Sequence, residues 1–383
     1  MSRDKILLLI INGGLFLVIG SLIGRLHVLQ AWMDVSYEYF SWVLFSFSLG
    51  SVISNLVSGR LVRWQGPKLF LTATMGCIAL ALLGFIVKPS YTTLIGLWAL
   101  LSFGFTGSMV VVMSQAGIVQ QHQGKSWMSF FQGISGIGVI SGMGIGLLAN
   151  TLEIPINAHF PLVGLVILVV MLPVNLSLNH FKQEKNEERQ PFKISFSLLF
   201  LGGINFSLIL SVSQIISWSG ILLRDRFQFE DDTATLGSLG FIIAETAVRF
   251  SGDFLSRKLG NIRLLLGAGT LTFLSILSVY LFQSADMALA GLIVAGLFSG
   301  TVQPIVFSLC SDERGNMTNN LSFVLLFQSI AFLVGPIVSG SIAENVGLFE
   351  IYLFSSLMAF LIVFFSFAYG RMNQTCHSSD PFE

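Results

Sequence analysis

Residues Phe241 to Gly260 read FIIAETAVRFSGDFLSRKLG. The stretch begins as an apolar run, yet it carries Glu245, Arg249, Asp253 and Arg257, each four residues after the last. On a helix, residues four apart share a face, so these charges form one stripe that alternates minus and plus. In water such a stripe is an ordinary solvated face. In a bilayer each unpaired charge costs roughly 2.5–3.5 kcal/mol or more, and charges there are rare and usually functional. Whether this stretch crosses a membrane therefore decides both the fold and the meaning of its charges.

Composition answers the first question. The 383 residues are 54% hydrophobic and only 10% charged, with a mean hydropathy of +0.80. A soluble domain carries about 25% charged residues. Such a chain cannot cover its surface with polar groups, so it reads as a polytopic membrane protein whose first partner is the lipid bilayer. Net charge is zero and no basic block stands out, which argues against nucleic acid as a partner. Cys77, Cys310 and Cys376 are scattered, giving neither a disulfide framework nor metal-ligand spacing. The first apolar run follows Arg3 and Lys5 but is too long for a signal peptide, and no small-residue cleavage pattern follows it. It reads as a retained first helix.

A spanning helix needs about 20 apolar residues. Twelve stretches qualify: 6–28, 40–62, 68–88, 91–113, 128–149, 158–178, 194–223, 233–256, 262–283, 286–310, 317–341 and 347–370. The expected fold is therefore all-α, with twelve transmembrane helices in two pseudo-symmetric six-helix bundles. The densest charge cluster, NHFKQEKNEERQPFK, divides the chain into an N-terminal bundle (1–178), a cytoplasmic linker (179–193), a C-terminal bundle (194–370) and a cytoplasmic tail (371–383). If the N-terminus is inside, fifteen of the twenty Lys and Arg residues fall on inner segments. That bias predicts cytoplasmic termini in the inner membrane. Trp32, Tyr37, Tyr39, Trp42 and Tyr91 gather at the outer ends, as an interfacial belt does.

The halves resemble each other. GRLVRWQGPK from Gly59 matches GDFLSRKLGNIR from Gly252, TGS at 106–108 matches SGT at 299–301, and FQGI from Phe131 matches FQSI from Phe327. The offsets are 193, 193 and 196, and three matches in order point to duplication, a common construction in transporters. Gly138, Gly142 and Gly146, with Gly20/Gly24 and Gly296/Gly300, recur at four-residue spacing, which lets two helix backbones approach closely. Static packing and a sliding gate both fit that pattern. Pro304 and Pro336 interrupt the tenth and eleventh spans, and each frees a backbone carbonyl.

The polar residues inside spans are the candidate site. Asn12, Gln132, Asn205, Ser213, Gln214, Gln303 and Gln328 are neutral and avoid lipid, so they contact either solute or neighbouring helices. Arg25, near the outer end of the first span, either reaches the interface or holds an anionic group. If the eighth span enters near Thr233, Glu245 lies about 18 Å along it, just past the middle of a roughly 30 Å core. A Glu245–Arg249 pair can be structural, can carry protons or can touch solute. Asp253 and Arg257 fit a latch at the inner mouth. Gly124-Lys125-Ser126 looks like the end of a phosphate loop, but Val119 stands where its first glycine belongs, so no ATP-driven pump is supported. The five histidines form no cluster with acids or cysteines. No cofactor, metal or hydrolytic site follows, and no enzyme is expected.

Taken together, these features resemble the major facilitator superfamily. GRLVRWQGPK at 59–68 resembles its signature loop between the second and third spans, although Arg63 stands where that motif usually has Asp. RFSGDFLSRKLG at 249–260, WSGILLRD at 218–225, GPIVSGSIAENVGL at 335–348 and QGKSWMSFFQGISGIG at 123–138 are similar to segments of its fucose-permease-like bacterial branch. The resemblance implies alternating access by two rocking bundles, with spans one, four, seven and ten lining a midplane cavity. It also implies a cytoplasmic gate at Gly59, Arg63, Gly66, Lys68, Gly252, Asp253 and Arg257. Proton-coupled members of that branch carry acids in spans one, four or seven. Here those spans hold Asn12, Gln115 and Ser213/Gln214, which leaves Glu245, with Arg249, as the proton-coupling candidate.

The expected function is secondary active transport of a small polar organic solute, a sugar or metabolite, with proton symport as the working form. Asn12, Arg25, Gln132, Gln214, Gln303 and Gln328 are the expected cavity residues. Drug/proton efflux is the alternative within transport, although Arg25 and Arg249 oppose a cationic substrate. A non-transporting membrane sensor is the alternative outside it, and the stretch after Arg371 is short for an attached module. A monomer fits this reading. The solute and its direction of movement stay open.

Overall fold

The computed structural model describes residues 3–123, 128–179, 195–249, 251–312 and 317–377, and among them there is no strand. The first half holds α1 (Arg3–Ile23), α2 (Leu26–Met33), α3 (Tyr37–Gln65), α4 (Pro67–Leu83), α5 (Tyr91–Gln123), α6 (Met128–Thr151), α7 (Ile156–Val166) and α8 (Leu172–Ser177). The second holds α9 (Phe196–Phe227), α10 (Asp231–Ala234), α11 (Leu236–Arg249), α12 (Gly252–Leu259), α13 (Asn261–Phe282), α14 (Ala285–Ser299), α15 (Val302–Asp312), α16 (Met317–Asn345) and α17 (Leu348–His377).

Among the described residues, eleven segments are long and apolar enough to cross a membrane. The expected eighth span is divided into α10, α11 and α12, each too short alone. The charge stripe is divided with it. Glu245 and Arg249 lie on α11, whereas Asp253 and Arg257 belong to α12, past a turn at Ser251.

Local chemistry explains the other irregularities. Pro304 lacks the N–H that would bond the carbonyl of residue 300, and the tenth span breaks at Gly300–Thr301 between α14 and α15. Pro336 is carried inside a continuous α16. The sixth span contains Pro161 and then a π turn at Ile167–Met171 before α8. Gly66, at φ +84°, ends α3, and Gly260, at φ +81°, ends α12. Both hold a left-handed backbone that side chains with a Cβ rarely adopt.

The chain forms two compact units. One comprises Met1–Asn186 with Phe229–Thr235, the other Glu187–Gln228 with Leu236–Glu383. In the first, α1 packs on α6, α3 on α5, and α4 on α5 and α7. In the second, α9 packs on α16 and α17, α11 on α14, and α13 on α14 and α17. Thus the first–fifth and second–fourth pairings of one unit recur as the seventh–eleventh and eighth–tenth pairings of the other.

The glycine pattern marks the tightest of these crossings. A Cβ added to Gly20 would lie 2.8 Å from the carbonyl carbon of Val139, and one added to Gly142 would lie 2.7 Å from the amide nitrogen of Ser21. The two backbones are in contact, which only glycine allows. In the second unit, where the end of α14 meets α11, a Cβ on Gly300 would meet the Glu245 carbonyl oxygen at 2.6 Å.

Hydrogen bonds fix the register of the duplication. Asn12 Nδ2 donates to the Phe131 carbonyl and to Ser135 Oγ, both at 2.9 Å. Asn205 Nδ2 donates to the Val324 carbonyl at 3.3 Å and to Gln328 Oε1 at 3.4 Å. Asn205 follows Asn12 by 193 residues, as Val324 follows Phe131 and Gln328 follows Ser135. Phe131 therefore corresponds to Val324. The similar FQ pair at Phe327, offset by 196, is three residues out of register.

Candidate functional site

The second unit assembles three amides from three helices. Gln303, on the first turn of α15, donates from Nε2 to Gln328 Oε1 on α16 at 2.9 Å. Asn205 on α9 donates to the same oxygen and to the Val324 carbonyl. Asn205 is fully buried, whereas Gln303 and Gln328 are half-buried. The break at Gly300–Thr301 sets the start of α15 and so the position of Gln303, while Gly300 itself rests on the Glu245 backbone. The turn that carries an amide thus lies against the helix that carries the acid.

Glu245 pairs with Arg249, Oε1 to Nη2 at 2.8 Å, one turn apart on α11. The carboxylate is mostly buried, with 14% of its side chain exposed, and the guanidinium is open at 44%. When the buried carboxylate takes up a proton, the cation left behind is the accessible Arg249 guanidinium rather than a buried one.

The first unit gathers a different set. Arg25 lies in the turn between α1 and α2 and is only 3% exposed, so it is buried rather than turned out to an interface. Its Nη2 donates to the Ile154 carbonyl at 2.8 Å, while Nε and Nη1 have no partner among the described residues. Burial pulls its pKa below the ordinary value, and the nearby Asp231 carboxylate pushes it back up. Beside it, the Phe229–Thr235 segment is held by His27 Nε2, which donates to the Asp231 carbonyl at 2.8 Å. Thr235 Oγ1 donates to the Gly24 carbonyl at 3.0 Å, and Asn150 Nδ2 reaches the Asp231 carbonyl at 3.0 Å and Thr235 Oγ1 at 3.2 Å. His27, Asn150 and Thr235 were not sequence candidates. They stand at helix ends, and each bonds a backbone carbonyl that no residue type reveals.

The remaining expected residues fall into place separately. Asn12 is fully buried and joins α1 to α6. Gln214, 1% exposed, bonds Ser213 Oγ at 3.2 Å and presses on the face of Gly335. Among the described residues Gln214 makes no hydrogen bond to Gln328. The side chains of Gln132 and Asp253, and the surroundings of Gly252, lie outside the described residues. On the α3–α4 turn, Arg63 lies back over Gly59, and Lys68 Nζ donates to the Leu176 carbonyl at 2.7 Å, tying the third span to the sixth. Arg257 is exposed on α12. A groove of about 370 Å³ in the second unit is lined mainly by Val248, Leu255, Leu264, Ala268, Leu297 and Phe298, and none of the expected polar residues opens onto it. Among the described residues no group of three His, Cys, Asp or Glu side chains could hold a metal ion.

The family model of the Major Facilitator Superfamily matches residues 6–319. The chain belongs to the major facilitator superfamily. Relatives that match most of its length are named as transporters. The uncharacterized transporter y4wD of Sinorhizobium fredii is 27% identical over 364 residues, covering 92% of this chain and 94% of the relative. Membrane protein MosC of Rhizobium meliloti is 26% identical over 337 residues, covering 86% and 79%. Two solved structures share the fold. The nucleoside transporter NupG aligns with a TM-score of 0.74 at 16% identity, covering 97% of this chain and 99% of that one. A bacterial homolog of the lysosomal transporter Spinster aligns with a TM-score of 0.75 at 13% identity, covering 97% and 98%.

Proposed function

We propose that this superfamily member is a secondary active transporter of a small, polar, uncharged organic solute, working by alternating access in the inner membrane with both termini cytoplasmic. The observation that carries the solute class is the chemistry of the second unit's half-buried polar group. Gln303 and Gln328 are neutral amides that join helices seven, ten and eleven through Asn205. Amides hydrogen-bond hydroxyls and other amides without the desolvation cost of an ion. The fold likeness to a nucleoside transporter supports a polar organic solute and goes no further.

Proton symport belongs to the same proposal, with Glu245 as the carrier and Arg249 as its partner. Their contact at 2.8 Å and the abutment of Gly300 on Glu245 support coupling between the acid and the turn bearing Gln303. The pairing also disfavours drug efflux, because Arg249 cancels the charge that would attract a lipophilic cation. Reconstitution into proteoliposomes tests this. Glu245→Gln is expected to abolish solute accumulation driven by a pH gradient while leaving exchange of solute across the membrane intact. Gradient-driven accumulation that survives Glu245→Gln removes the proton role.

A further inference from the structure

The amide group has a direction, and that direction can be derived. The Val324 carbonyl can only accept, so the Asn205 atom facing it must be the nitrogen. Asn205 Nδ2 also faces Gln328, so the Gln328 atom there must be the oxygen. That oxygen in turn requires Gln303 to present its nitrogen. One backbone carbonyl thereby orients three amides in series. What remains uncommitted is the Gln328 amino group, a donor, and the Gln303 carbonyl oxygen, an acceptor. Neither makes a further hydrogen bond among the described residues, and both side chains are half-buried.

The duplication supplies an internal control. In the first unit the same junction is closed by Asn12, the Phe131 carbonyl and Ser135. The counterpart of Gln328 is Ser135, and the counterpart of Gln303, at the same 193-residue offset, is Val110. Holding the helix pair therefore needs only an asparagine and a serine. The two glutamines exceed what packing requires, and they extend the junction into a paired donor and acceptor with no charge attached. The fully buried Asn205 Oδ1 also lacks a partner among the described residues, so the cluster is incomplete as it stands.

We propose that the Gln303–Gln328 pair is the specificity-determining edge of the solute site, selecting a neutral group that presents an acceptor beside a donor, such as a lactam, an amide or adjacent hydroxyls. This rests on the transporter reading above. A site built to hydrogen-bond such an edge discriminates strongly against analogues that lack it, because its own polar groups are then left unpaired.

Gln328→Ser is the informative variant, because it recreates the first unit's junction and keeps an anchor for Asn205. Purified wild type and variant are compared by thermal shift and by counterflow in proteoliposomes. The probes are uracil and glucose, with 1,3-dimethyluracil and glutamate as mismatched and charged controls. The expected result is that uracil or glucose stabilises and exchanges on wild type, and that neither control does. Gln328→Ser should weaken that probe's apparent affinity by on the order of tenfold or more, leaving ligand-free melting nearly unchanged. Gln303→Leu should do the same. The proposal is overturned if glutamate or dimethyluracil is the only probe that binds, if no neutral probe binds, or if Gln328→Ser retains full affinity. Exchange of glutamate alone would sink this inference while leaving the transporter reading standing. Failure of the protein to move any solute would sink that reading itself.

Discussion

Replacing Gly142 by alanine tests the helix crossing that organises the first unit. Gly142 faces α1, where an added Cβ would fall 2.8 Å from the carbonyl carbon of Leu17 and 2.7 Å from the amide nitrogen of Ser21. Carbon atoms in van der Waals contact lie about 3.5–4.0 Å apart, so the helices must separate locally by several tenths of an ångström or more. The obstructing atoms are backbone and cannot rotate away. Gly144, two residues along the same helix, is the control, because nothing lies within 4 Å of its Cβ position. Each substitution gains about 1 kcal/mol of helix propensity, a term that cancels between them. Their difference is then the overpacking cost, about 1–3 kcal/mol and toward the upper end here. Thermal unfolding in detergent should place Gly142→Ala below wild type and Gly144→Ala at or above it. Equal melting of the two variants would refute the close crossing of α1 and α6.

Three further outcomes follow from single contacts. Asn205→Ala removes the donor to the Val324 carbonyl and should destabilise the second unit by about 1–2 kcal/mol, measurable by chemical denaturation; Asn12→Ala should cost a similar amount in the first. Asn150→Ala removes the contacts to Asp231 and Thr235, so hydrogen exchange at Phe229–Thr235 should accelerate while exchange within α6 stays slow. Arg25→Met should be within about 1 kcal/mol of wild type in stability, because two buried guanidinium nitrogens have no partner among the described residues and a similar-sized apolar chain removes that cost; a loss of 3 kcal/mol or more would show a stronger pairing with Asp231.

The legible part of this protein was what depends on composition and spacing. Low charge and long apolar runs announced a membrane-spanning helical chain, and Gly138, Gly142 and Gly146 announced a close crossing that the structure contains. Pro304 marked a break in the tenth span, although the break lies upstream at Gly300–Thr301, where the missing hydrogen bond ends. What stayed hidden depends on partners that carry no residue signature. Arg25 is buried against the Ile154 carbonyl, 129 positions away, which no side-chain pattern could indicate. The repeated FQ pair suggested a register that the Asn12 and Asn205 hydrogen bonds correct by three residues. Gln303 and Gln328 were visible as polar residues in spans, but their shared oxygen required three helices to be placed at once. Glu245 stood out because an acid in an apolar run is costly, and its pairing with Arg249 followed from the four-residue spacing.

The central claim is that this superfamily member moves a neutral polar solute by coupling to the proton gradient. Proteoliposomes containing the purified protein, given an inward proton gradient and tested with labelled uracil and glucose, measure it directly. At least one of them should accumulate, and that accumulation should collapse when a protonophore dissipates the gradient and be absent in Glu245→Gln. Accumulation indifferent to the gradient would contradict the coupling, and no movement of either solute under any gradient would contradict the claim as a whole.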